Sequence, residues 1–240
     1  MNAGTNHKWL KHQALLLLLS AVALLAVFEN TRLDVTFSLL LYDPTLHDFP
    51  LHNHWFFTKV LHHGLKTAAY VLGTIAVFFC LFAMRGKITW LPRRNAALAA
   101  TGMLLIPIAI SALKHITNRH CPWDVVEFGG YAPYTGLLAS VPEGIARGAC
   151  FPAGHSAGGF VWIIWAVALA STRPKLARSF MYGALVLGTV MGGARMIQGA
   201  HFLSHTLWSL WIAWAISVVL TMIFRIPVTQ SPPEIKETEA

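Results

Sequence analysis

The sequence predicts an all-α polytopic membrane protein, with six transmembrane helices in one bundle and an interfacial segment on the outer side. Composition is the first indication. Charged residues make up 12% of the 240-residue chain and hydrophobic ones 55%, against about 25% charged in an ordinary soluble domain. Patterning is the second. Long apolar runs fall at residues 14–28, 65–84, 96–113, 156–171, 180–193 and 204–224. The third is the placing of the basic residues, which gather in alternate connections.

Taken in order, the first run follows Lys8 and Lys11. It can be read as a span or, with residues 15–27 as the apolar part, as a signal peptide. A span needs about 20 residues, so flanking residues must complete several of the runs. Residues 29–64 and 114–150 are the two long outer segments. The first contains "VTFSLLLYD", too short to cross and expected to lie at the interface. "RGKITWLPRRN" and "STRPKLARS" read as tight turns between antiparallel helices. Trp9, Trp55, Trp90, Trp123 and Trp208 fall near span ends and read as interfacial aromatics. Residues 1–225 form a single membrane-embedded domain, and 226–240 a polar, Pro-rich, disordered cytoplasmic tail.

Six spans put both termini on one side. That side carries Lys8, Lys11, Arg85, Lys87, Arg93, Arg94, Arg173, Lys175, Arg178, Arg225 and Lys236, most of the 18 basic residues. Seven of the ten acidic residues lie on the other side. The positive-inside bias therefore places both termini in the cytoplasm. It also accounts for the net charge of +8. The basic residues form no dense run or basic helix face, which excludes a nucleic-acid partner.

An ionisable residue at a membrane helix end is costly unless paired or wet, so it marks a candidate site. Lys114, Arg119, His155, Arg195, His201 and His205 come from three separate stretches, and all fall at the outer ends of predicted spans. Lysine and arginine without nearby carboxylates suit an oxyanion, phosphate above all. Histidine can attack phosphorus and can carry a proton near neutral pH. Gly154, opening the fourth span, frees backbone N–H groups to face an anion, with Ser156 beside it.

"CFPAGHSAGG" also fits a Gly-x-Ser-x-Gly nucleophile elbow at Ser156. That elbow needs a strand before it, and no strand-rich pattern exists here. A helix-starting serine is more simply a cap. His155, His201 and His205 can be read as metal ligands, since His-x3-His is a common spacing. The neighbouring cations oppose a divalent ion, and neither metal nor other cofactor is expected. Haem would need histidines inside helices, whereas these lie at ends and loops. His47, His52, His54, His62 and His63 read as surface histidines, and Cys80 as an inert residue within a span.

"KHITNRHCP", "FPAGHSAGG" and "ARMIQGAHFLSH" together resemble the three motifs of the type 2 phosphatidic acid phosphatase family of membrane lipid phosphatases. Those patterns are Lys-x6-Arg-Pro, Pro-Ser-Gly-His and Ser-Arg-x5-His-x3-Asp. Lys114, Cys121 and Pro122 occupy the first, Pro152, Ala153, Gly154 and His155 the second, and Ala194, Arg195, His201 and His205 the third. The resemblance implies that His201 is the nucleophile, forming a phosphohistidine. His155 then protonates the leaving group and activates water, Lys114 and Arg195 hold the phosphate oxygens, and no metal is needed. Cys121 stands where the family has Arg, Ala153 and Ala194 where it has Ser, and His205 where it has Asp. Arg119 is placed to replace the lost cation. A neutral His205 can accept the hydrogen bond that a carboxylate would accept, but brings no charge.

Cys121 and Cys150 bracket the second outer segment and face a compartment that permits disulfides, so they are expected to pair. A loop of this length gains ~3–4 kcal/mol from such a link. The expected protein is an integral membrane lipid phosphatase of the bacterial inner membrane with a periplasmic site. Its substrate is a lipid phosphomonoester or diphosphate. A lipid phosphotransferase sharing the first step, or a non-catalytic phospholipid-binding or transport protein, is the alternative.

Overall fold

The computed structural model describes residues 3–228, so the expected tail lies outside the described residues beyond 228. The protein is all-helical, and among the described residues there are only isolated bridges, at Asp43–Asp48 and Val125–Ala132, and no strand. In chain order the helices are α1 (Ala3–Asn30), α2 (Leu33–Leu39), α3 (Leu65–Met84), α4 (Arg93–Ile116), α5 (Gly154–Phe160), α6 (Ile163–Leu169), α7 (Pro174–Ile197) and α8 (Leu203–Phe224). A π-helical stretch, Phe56–Gly64, runs straight into α3. Residues 122–124 and 126–128 make two short 3₁₀ turns.

Five of the helices are long and apolar enough to cross a bilayer: His7–Asn30, Phe56–Met84, Arg93–Ile116, Pro174–Ile197 and Leu203–Phe224. The sixth expected span differs. Gly154–Leu169 is a shorter apolar helix, broken at Val161 and Trp162 into α5 and α6. At ~1.5 Å per residue it covers about 24 Å of a hydrocarbon core about 30 Å thick. Its surroundings explain why a short helix suffices. Every residue of α6 is buried, so it sits inside the bundle and never meets lipid.

The main core joins α3 to α8 through residues such as Leu98, Ile106, Phe160, Ile164, Leu169 and Ala213. Glycine sets the tightest approach. Gly159 of α5 lies against the backbone of Gly188 in α7, and a Cβ on Gly188 would strike the Phe160 ring. Small residues allow this closeness where lipid supplies no hydrophobic drive between helices. The outward faces carry Leu18, Tyr70, Phe78, Ile108, Val186 and Ile223, all large, apolar and exposed, as lipid-facing residues should be. Helix α1 lies at the edge and docks on α8. There Trp211 Nε1 donates to the Leu17 carbonyl, and Trp214 Nε1 to Gln13 Oε1.

The outer segments build a second layer over one end of the bundle. Val35, Phe49, Val125, Phe128 and Phe202 form a separate small core there. The interfacial segment is therefore more than a surface strip. Asp34, Val35 and Ser38 of α2 are buried, and α2 packs on the start of α8. The expected disulfide is present: Cys121 and Cys150 are bonded, with Cα atoms 5.3 Å apart. Cys80 is free and buried in the main core.

Candidate active site

The site lies where the loop between α7 and α8 meets the ends of α4 and α5. Gly199, with φ +72°, ends α7 in the left-handed conformation that glycine adopts without strain. The chain then turns so that His201 points into the protein, 5% exposed, before the extended Phe202 starts α8. Phe202 offers no side-chain cap. Asp34 supplies one from α2, accepting bonds from the Ser204 N–H at 2.9 Å and from the Ser204 hydroxyl. The Tyr134 hydroxyl also donates to Asp34, at 3.3 Å. Burial raises the Asp34 pKa to about 6 against these bonds, and it pushes the Tyr134 phenol upward as well.

Around His201 the structure assembles most of the expected groups. Its pKa is held well below the ordinary histidine value, first by burial and then by the nearby charges of His205, Lys114, Arg195 and His155. Lys114 is in the last turn of α4 and His155 in the first turn of α5. Arg195 is in the last turn of α7. Three distant stretches thus converge on one imidazole.

The partner of His201 Nδ1 is not the one expected. No hydrogen bond joins His201 to His205, and their ring centres are 5.8 Å apart, edge to face. Instead Nδ1 lies 3.3 Å from Cys150 Sγ of the disulfide. A disulfide sulfur carries no hydrogen, so the imidazole donates to it. His205 packs between Phe151 and Phe202, with its Nδ1 buried and unpartnered.

Arg195 is held by two neighbours. It donates to Gln198 Oε1 at 2.7 Å and lies 5.4 Å from the Trp123 ring centre. Gln198 in turn donates to the His52 carbonyl and to Thr58 Oγ1, and His52 stacks on Trp123. Trp123 therefore does more than mark an interface. His155 Nε2 donates to the His62 carbonyl at 3.0 Å, and the two rings stack at 4.2 Å. So His52 and His62 belong to the site, not to a surface group. Lys66, whose charge reaches both His155 and Lys114, is a further cation at the site.

Three expected phosphate ligands are occupied or differently placed. Arg119 is buried and donates to the Leu137 and Ala139 carbonyls and to Thr135 Oγ1. It pins the loop that Glu29 also holds through the Leu137 N–H. Burial lowers its pKa, opposed by the Glu29 carboxylate. Ser156 Oγ donates to the Ala153 carbonyl at 2.8 Å, neither as a nucleophile nor as an N-terminal cap. Gly154 is exposed at the start of α5, and a Cβ there would meet nothing within 4 Å, so the space above it is open.

One ligand atom each from Cys150, His201 and His205 lie within 4.8 Å of one another, so these side chains could surround a metal ion. His155 is outside that group. With Cys150 in a disulfide, no thiolate is present to bind one.

These features define a helical membrane protein with a cluster of cationic and histidine side chains at one end of its bundle. The PAP2 superfamily model matches residues 95–227, more than half the chain, and the protein belongs to that superfamily. Comparison with curated proteins and with solved structures gave no match. Membership carries phosphatase-type activity at the level of phosphoric ester hydrolysis. It also suggests a phosphate-bearing lipid as substrate. The match takes in α4 to α8 and leaves out Asp34, His62 and Lys66. Asp34 and Lys66 gave no signal in the sequence beyond being charged near a span end.

Proposed function

We propose that the protein hydrolyses a lipid phosphomonoester or diphosphate at the outer membrane face through a phosphohistidine. The observation that supports this is the burial of His201, with the charges of Lys114, Arg195 and His155 close enough to hold its pKa down. Nδ1–H is directed at a sulfur acceptor, which leaves the Nε2 lone pair free to attack. Phosphorus then bonds to Nε2 as its bond to the lipid oxygen breaks. His155, as its imidazolium, gives that oxygen a proton and becomes neutral. It next takes a proton from water, whose oxygen attacks phosphorus and releases His201. Lys114 and Arg195 neutralise the oxygens gathering charge in both steps.

His155 is suited to this exchange because its Nε2–H rests on a backbone carbonyl that a substrate oxygen can replace. The outer-face assignment draws on the basic connections at the opposite helix ends and on the disulfide beside the site. Transfer to an acceptor lipid would share the first step. The test is to quench the purified protein during turnover of a labelled lipid phosphate. An acid-labile, alkali-stable phosphoprotein is expected, and His201→Ala should lose it together with at least ~10³-fold in kcat. Unchanged turnover in that variant would move the nucleophile elsewhere.

A further inference from the structure

The disulfide touches the imidazole to which the proposed function assigns the chemistry, and this contact has a consequence of its own. Cys150 Sγ is 3.3 Å from His201 Nδ1. A tetrahedral zinc ion holds its sulfur ligands at about 2.3 Å and its nitrogen ligands at about 2.0 Å, which sets S and N about 3.5 Å apart. The observed separation is close to that. His205 contributes a ring atom within 4.8 Å of both, and its Nδ1 is buried without a partner. A buried imidazole that keeps an orphaned nitrogen while its ring lies near a sulfur and a second imidazole is an independent sign of a ligand position. Cys121 lies outside that three-residue group, but it is bonded to Cys150, so reduction frees a second thiol beside it.

We infer that reduction of the Cys121–Cys150 disulfide creates a Cys2His2 site for one zinc ion, made of Cys121, Cys150, His201 and His205. A dithiol or phosphine reductant supplies two electrons, and two protons complete the thiols. Zinc then displaces those two protons, while both histidines bind as neutral imidazoles. Charge explains why oxidation state decides occupancy. With histidines alone, a divalent ion beside Lys114 and Arg195 adds two positive charges to a cationic, buried site. Two thiolates cancel the charge of the ion, so its binding adds none. Burial of both histidines and of Cys150 favours a closed, four-coordinate site. On the proposed function, zinc on Nδ1 of His201 moves the ring proton to Nε2 and removes the attacking lone pair, so the reduced, metal-loaded protein is inactive.

The experiment uses the full chain in detergent, once oxidised and once reduced with a phosphine that is then removed, each titrated with Co²⁺. The reduced chain should bind one equivalent, showing a near-ultraviolet thiolate-to-cobalt band and tetrahedral visible bands that Zn²⁺ abolishes. The oxidised chain should show neither. His205→Ala and His201→Ala should each weaken binding by more than the ~10–100-fold that loss of an outer-shell partner costs a metal site. Zinc should also protect both thiols from alkylation, with buried Cys80 as internal reference. Absence of the bands in reduced protein would overturn the inference, as would bands indifferent to both histidine substitutions, since a loosened cysteine pair would give those. Hydrolysis is read separately. Bound cobalt without inhibition would leave the site standing and count against His201 as nucleophile.

Discussion

At the scale of single residues, the decisive feature is which atom faces Nδ1 of His201. A carboxylate there would fix the tautomer and stabilise the cation formed in the reaction, whereas a disulfide sulfur does only the first. His201 is therefore expected to remain uncharged to unusually low pH, held there by burial and by the positive neighbours. The acid limb of kcat/KM should fall below the ordinary histidine value of 6.5. His205→Asp reverses one of those influences. A carboxylate within ~4–6 Å raises a histidine pKa by about 1–3 units. The acid limb should move up by at least about one unit, with activity above the limb kept or raised. A pH–rate profile checks this, and an unmoved limb would show that position 205 does not communicate with the nucleophile. Lys114, His155, Arg195, His201 and His205 were all legible as a set, because each is an ionisable residue at a span end. Their partners were not. Gln198 and the His62 carbonyl carry no charge, and Trp123 looks like any interfacial tryptophan until Arg195 is seen above it.

At the scale of elements, the start of α8 is the vulnerable point. His201 is placed by a short turn, and that turn is fixed by Asp34 capping α8 from another helix. Nothing in the stretch around Asp34 signals this, because a cap supplied from elsewhere has no local spacing to read. Its pKa of about 6 exceeds the ordinary 3.8. Between those values the folded chain holds a proton that the unfolded chain has released. Asp34 thus adds stability as pH falls through 6, and that gain is absent at higher pH. Buried His201 acts in the opposite direction, since its folded pKa is lowered and protonation below 6.5 favours unfolding. Comparing wild type with Asp34→Asn removes that shared part. From pH 7 to pH 5 the melting temperature of wild type should gain on the variant by roughly 3–5 °C, for about 1.3 kcal/mol. A constant difference would mean that Asp34 does not titrate in this window. Asp34→Ala, which loses the cap outright, should cost about 1–2 kcal/mol at pH 7, and more at pH 5. The broken fourth span belongs to this scale too. Its apolar run was visible, but only packing shows that α6 is buried on every side and so need not be long enough to cross.

At the scale of the whole molecule, function depends on which way the bundle faces. Helix order alone puts Arg85, Lys87, Arg93, Arg94, Arg173, Lys175 and Arg178 at one end and the site residues at the other. This division was readable from the sequence, since alternation of spans and connections is all it needs. The disulfide adds a chemical reason for the site end to lie in an oxidising compartment. The two arguments are independent and point the same way. Native cysteines make the orientation easy to measure, because Cys80 is buried and the other two are bonded to each other. A membrane-impermeant maleimide should therefore give low background on intact cells. Leu138, 72% exposed in the outer segment, and Lys175, exposed in the first turn of α7, are suitable positions for single cysteines. Leu138→Cys should label in intact cells, and Lys175→Cys only after permeabilisation. The reverse pattern would put the site on the cytoplasmic side, where a disulfide is hard to maintain and where a different pool of phosphate-bearing lipids would be its substrates.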